Sequence, residues 1–142
     1  MFKNVASRVV GKIPEIERAA AIAGGGDRVV VLGSGWAGFQ IAQRAKRDLP
    51  LTVISPSNHF LFTPLLPSTA VGTLEFRCIQ EPVRSHLGPL GNYVQAKARE
   101  LDPEKQILKC ETVHNDIFEL EYDKLVISVG VKTNVSARKG VM

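Results

Sequence analysis

The spacing of apolar and polar positions divides the chain into segments of different period. Val29-Val30-Val31-Leu32 is an unbroken, mostly β-branched apolar run, the pattern of a strand buried on both faces of a parallel sheet. Beyond a glycine-containing stretch, Phe39, Ile41, Ala42 and Ala45 recur at helical spacing among helix formers, and that pattern closes before Pro50. Leu51 to Ile54 reads as a second strand and Tyr93 to Ala98 as a third. Gln106 to Val113 and Phe118 to Tyr122 alternate as strands of a small antiparallel excursion, entered through the turn Asp102-Pro103-Glu104-Lys105.

The stretch between the first strand and the first helix carries the chemistry. Gly33, Gly35 and Gly38 fit G-x-G-x-x-G: one glycine for the tight turn, one for close approach of backbone to a pyrophosphate, one for helix packed on strand. Glycine-rich turns also occur where a chain merely bends, so the flanking strand, helix and second strand are what point to a dinucleotide-binding βαβ start. The helix N-terminus then favours an anion without any basic side chain. One position departs from the usual form. An Asp or Glu commonly ends the second strand and holds the adenosine ribose; Ser55 stands there instead, with a hydroxyl able to bond a ribose but no charge, which weakens the case for NAD at this turn.

Composition narrows the rest. The 142 residues, 44% of them hydrophobic, suit one globular domain. No run approaches the roughly 18 apolar residues that span a bilayer. The formal charge of +4 is scattered among acids without aromatic interleaving, which argues against nucleic-acid binding. Cys78 and Cys110 stand far apart, and with His59, His86 and His114 scattered there is no metal-ligand spacing. Residues 1–26 differ in character: no acid precedes Glu15, and Phe2, Val5, Val9 and Ile13 fall near one helical face beside Lys3, Arg8 and Lys12. Such a start is similar to a mitochondrial targeting segment, with Gly24-Gly25-Gly26 as a linker; a simple tail is the alternative.

The segment after the second strand makes a family resemblance specific. Ser55-Pro56, then Phe60-Leu61-Phe62-Thr63-Pro64-Leu65-Leu66-Pro67-Ser68 and Ala70-Val71-Gly72-Thr73, resembles the type II NADH:quinone oxidoreductases, the alternative NADH dehydrogenases of mitochondria. So do the turn Gly33-Ser34-Gly35-Trp36-Ala37-Gly38, the stretch Ile79-Gln80-Glu81-Pro82-Val83-Arg84, and Tyr122-Asp123-Lys124-Leu125-Val126-Ile127-Ser128-Val129-Gly130. Ser57 and His59 replace an arginine and a tyrosine common in that family, and the pattern thins after residue 135.

The resemblance implies an α/β, Rossmann-like FAD-binding half-domain over residues 27–142, with a parallel sheet and the antiparallel excursion. It implies a flavoprotein that takes hydride from NADH onto FAD and passes electrons to a quinone. Gly33, Ser34, Gly35, Trp36, Ala37 and Gly38 would form the pyrophosphate turn, and Ser55 and Pro56 would lie at the adenosine. Ala98 would present backbone to adenine, Thr63 and Pro64 would approach the flavin ring, and Gly130 would lie close to the cofactor. No redox cysteine pair follows the first helix, which argues against disulfide reductases. The sequence beyond Gly38 contains no second G-x-G-x-x-G for NADH and no amphipathic helix for membrane docking. The expectation is therefore the FAD-binding part of an inner-membrane-associated mitochondrial enzyme, inactive alone, with membrane association only through other segments or a partner. The alternative is a noncatalytic truncated relative, a binding or structural subunit whose exposed half-domain face a protein partner covers.

Overall fold

The structure, a computed structural model, describes residues 27–131. The targeting segment read over residues 1–26 and the thinning end of the family pattern lie outside the described residues. Ten elements matter here. They are β1 (Val29–Leu32), α1 (Trp36–Arg44), β2 (Leu51–Ser55), β3 (His59–Leu61), α2 (Leu66–Ala70) and β4 (Gln80–Pro82), followed by β5 (Asn92–Asp102), β6 (Ile107–Thr112), β7 (Ile117–Glu121) and β8 (Lys124–Ile127).

Six strands form one sheet in the order β7-β6-β5-β2-β1-β8, while β3 and β4 pair separately and antiparallel. The apolar run of β1 is central to that sheet, parallel to β2 on one side and to β8 on the other. Its side chains alternate between two cores. Val30 and Leu32 face Ile54, Ala96, Leu108 and Phe118, the excursion side. Val31 faces Phe39 and Ala42 of α1 together with Val53, Phe60 and Tyr93. Burial on both faces explains why β1 reads as a continuous apolar run rather than as an alternation.

The excursion is not a separate hairpin beside a short third strand. β5 is one continuous strand whose first half pairs parallel with β2, Thr52 opposite Asn92, and whose second half pairs antiparallel with β6, Ala96 opposite Thr112. The register slips between Ala98 and Glu100, a bulge of the kind that bends a strand. Gln106, read from the sequence as the first residue of a strand, has φ of 55° and belongs to the turn, and β6 starts one residue later. A left-handed residue cannot extend a strand, and the Gln106 carbonyl instead accepts the Tyr122 N–H at 3.1 Å.

The start of β1 is tied to the β7–β8 turn. The Arg28 guanidinium bonds both Asp123 oxygens and Glu121, and its backbone N–H donates to Asp123 Oδ2 at 2.7 Å. These bonds hold the Asp123 carboxyl down at about 2 and raise the Arg28 guanidinium above its ordinary value. Lys124 pairs with Asp27 beside them.

Candidate nucleotide site

The three glycines of the turn meet different surroundings. Gly33 has φ of 99°, and a Cβ there would lie 2.4 Å from the Ser128 carbonyl oxygen, so both conformation and space demand glycine. A Cβ on Gly38 would lie 1.9 Å from the Gly33 carbonyl oxygen, which is how closely α1 packs on the turn. Gly35 is unlike either. Its φ of −75° and ψ of −161° suit any residue, and a Cβ there would meet nothing within 4 Å. Nothing in the fold itself requires glycine at position 35.

Gly35 is also the N-cap of α1, where no side chain caps the helix and no acid sits in the first turn. The unpaired N–H groups and the positive end of the dipole therefore open onto the space that Gly35 leaves free. That space is a cleft of about 620 Å³ at the carboxyl ends of β1 and β2, within the size range of ligand pockets. Its described lining contains no carboxylate, and its charged or titratable side chains are Lys97, Arg99 and His59. The donor set and the vacant Gly35 side fit a pyrophosphate.

Below the turn lies a closed set of polar contacts. The Ser34 hydroxyl lies 2.8 Å from both the Ser55 hydroxyl and the Ser57 carbonyl oxygen, and the Ser57 N–H donates to Ser55 Oγ at 3.2 Å. Tyr93 Oη, whose acidity burial lowers, donates toward the Ser55 and Ser57 carbonyls at 3.0 and 2.7 Å. Ser55 is 3% exposed. Its hydroxyl braces the loop after β2 through Ser34 and the Ser57 N–H.

Of the residues singled out by sequence, Gly33, Ser34, Gly35, Trp36, Ser55, Pro56, Thr63 and Ala98 line the cleft. Ala37, Gly38, Pro64 and Gly130 are not in its lining: Ala37 faces solvent and Gly38 is buried against the turn. Gly130, with φ of 68°, lies beyond β8, which ends at Ile127. Trp36 stands edge-on to Phe60 at 5.0 Å, and Phe60 stacks on Phe39 at 4.3 Å, so the proline-stiffened segment is anchored to α1 by aromatic contact. Phe60 is buried, whereas Phe62, Leu65 and Leu66 remain exposed on this chain.

Sequence reasoning missed Lys97 and Arg99, which flank Ala98 in the lining, and also Ser128 and Val129. Lys97 and Arg99 come to the cleft because β5 runs on past the end of β2, whose last pair is Ser55 opposite Gln95. Cys78 is exposed and Cys110 is buried, its thiol pushed up to about 12 by desolvation; neither lines the cleft. No helix among the described residues is long and apolar enough to cross a membrane, and no group of His, Cys, Asp and Glu among them could hold a metal ion.

Comparison with known proteins agrees with this geometry. The chain is 46% identical over 120 residues to a probable NADH dehydrogenase of Dictyostelium discoideum, covering 81% of this chain and 26% of that protein. It is 41% identical over 121 residues to the external NADH-ubiquinone oxidoreductase 2, mitochondrial, of Saccharomyces cerevisiae, covering 80% and 22%. Among solved structures, NDH2 from Plasmodium falciparum in complex with NADH superposes with a TM-score of 0.72 at 38% identity, over 77% of this chain and 23% of that one. The chain thus spans about a quarter of the length of these relatives. The family model for pyridine nucleotide-disulphide oxidoreductases matches residues 27–142. With a parallel β1-α1-β2 unit, a glycine turn open onto a cleft and a match over most of its length, the chain belongs to the pyridine nucleotide-disulphide oxidoreductase family.

Proposed function

We propose that this chain is the FAD-binding portion of a mitochondrial NADH:quinone oxidoreductase. The observation that carries the reading is Gly35, a glycine the fold does not need, facing a carboxylate-free cleft at a helix N-terminus. The first-turn N–H groups of α1 would hold the pyrophosphate, and Gly35 would let it approach. Gly33 and Gly38 keep strand, turn and helix in register. The Ser34–Ser55–Ser57–Tyr93 set fixes the loop against which the adenosine would lie, and Ala98 would offer backbone to adenine. When bound, FAD supplies the two-electron chemistry between NADH and quinone. Residues 1–26 would serve as the mitochondrial targeting segment, and association with the inner membrane would come through other segments or a partner.

A second reading has its own observation. Trp36, Phe62, Leu65, Leu66, Val71 and Phe76 are exposed, with the Trp36 and Phe62 rings 5.2 Å apart, and Ile127, Val129 and Val131 are exposed at and beyond the end of β8. Such surface suits a noncatalytic subunit covered by a protein partner. A flavin absorption spectrum of the chain purified in the presence of FAD, followed by an NADH oxidation assay with a soluble quinone, separates the two. The first reading predicts bound flavin near one per chain without turnover, because the sequence has a single glycine-rich turn. Protein that remains colourless at saturating FAD rejects that reading.

A further inference from the structure

The first peptide of the glycine turn, between Leu32 and Gly33, is held on both sides. Its N–H, on Gly33, donates to the Ile54 carbonyl of β2 at 2.8 Å. Its carbonyl, on Leu32, accepts two bonds from one residue that lies 96 positions further along the chain and just beyond β8: the Ser128 backbone N–H at 2.8 Å and the Ser128 hydroxyl at 2.8 Å. The first of these continues the β1–β8 ladder, in which Leu32 lies opposite Ile127, and any residue but proline supplies it. The second needs a hydroxyl. Ser128 also meets the turn by contact. A Cβ on Gly33 would lie 2.4 Å from the Ser128 carbonyl oxygen, and a Cβ on Gly38 would lie 3.0 Å from Ser128 Oγ. The hydroxyl therefore stands between the end of β1 and the first turn of α1, and Ser128 lines the cleft that the turn faces.

We infer that Ser128 is a positioning residue of the nucleotide site: its hydroxyl pins the Leu32–Gly33 peptide in the orientation from which the turn presents the first N–H groups of α1 to the cleft. The cradle is then built from two parts distant in sequence, residues 33–38 and the Ser128 hydroxyl. Ser128 acts through the turn and need not touch the ligand. Without the hydroxyl the Leu32 carbonyl keeps its backbone bond, so the sheet persists. The turn, however, samples orientations that do not receive a pyrophosphate, and apparent affinity falls with the population of the competent one. This rests on the nucleotide reading of the glycine turn.

The test is titration of the full chain with FAD and with ADP, on two pairs of proteins that each differ by one hydroxyl at position 128. Wild type is set against Ser128→Ala, and Ser128→Thr against Ser128→Val, whose side chains branch alike. The hydroxyl-bearing member of each pair should bind about fivefold more tightly, the factor that one hydrogen bond of ordinary net strength allows. That factor should be the same for FAD and ADP, because the diphosphate at the turn is common to both. Melts without nucleotide run alongside. A serine that is merely structural would lower the melting temperature of the hydroxyl-free members and leave the affinities within each pair equal. That result overturns the inference while FAD binding by the wild type stands, and so does an effect confined to one pair or to one of the two ligands. Failure of the wild-type chain to bind either FAD or ADP removes the cradle and this inference with it.

Discussion

Gly35→Ser separates what the fold needs from what a ligand needs. A side chain at position 35 enters empty space at an ordinary φ, so no steric cost arises in the free protein. Serine caps helices slightly better than glycine, by a few tenths of a kcal/mol. Replacing glycine at a compatible backbone also removes unfolded-state freedom, about 0.4–1 kcal/mol in the same direction. The nucleotide-free mutant should therefore melt at the wild-type temperature or a few degrees above it. Gly38→Ala is the counterpart. Its Cβ would sit 1.9 Å from the Gly33 carbonyl oxygen, so α1 must move off the turn. Overpacking of that kind costs about 1–3 kcal/mol, a loss of roughly 4 °C or more in a domain of this size. Circular-dichroism melts without nucleotide, paired with fluorescence titration of FAD, read both quantities. The account expects Gly35→Ser to lose at least about tenfold in FAD affinity, 1.4 kcal/mol, while keeping its stability. A Gly35→Ser protein that melts as early as Gly38→Ala, or that binds FAD like wild type, refutes the division of labour among these glycines.

Three further outcomes follow from the same geometry. With Cys78 exposed and the Cys110 thiol pushed up to about 12, a thiol reagent at pH 8 should modify one cysteine promptly and the second only after denaturation. The Asp123 carboxyl lies at about 2 in the folded chain, below its ordinary 3.8, so the stability it contributes is present above that ordinary value and is lost as pH falls through 3.8 toward 2. Both partners are partly exposed, which limits the effect to about 1 kcal/mol, and acid melts of Asp123→Asn should show a shallower loss over that window. Trp36 is the single tryptophan, half-exposed in the cleft lining, so filling the cleft with ADP should change its emission; an unaltered spectrum at saturation would place the nucleotide elsewhere.

The parallel unit was legible because β1 and β2 are buried on both faces and α1 on one, and each burial pattern leaves its own period in the sequence. The glycine turn was legible for the same reason, since Gly33 and Gly38 answer to local backbone constraints. Less visible was the continuity of β5, because a strand that changes partners from β2 to β6 at a bulge has no uniform alternation. The fate of Ser55 could not be read either. Its hydroxyl is claimed by Ser34, 21 positions earlier in the chain, and by the Ser57 N–H, contacts that exist only once the β2 end and the turn are side by side. Lys97 and Arg99 escaped notice for a related reason. As charges on an exposed strand they look like a solvated face until the register sets them beside the cleft.

The central claim, that the glycine turn and the end of β5 form one nucleotide site, is tested most directly by a backbone-amide NMR titration of the full chain with ADP. The account predicts saturating shifts at one nucleotide per chain, concentrated at Gly33, Ser34, Gly35 and Trp36 and again at Lys97, Ala98 and Arg99. The β6–β7 turn around Asn115 should stay unmoved. Shifts confined to that turn, or no shift at the glycines at saturating ADP, would contradict it.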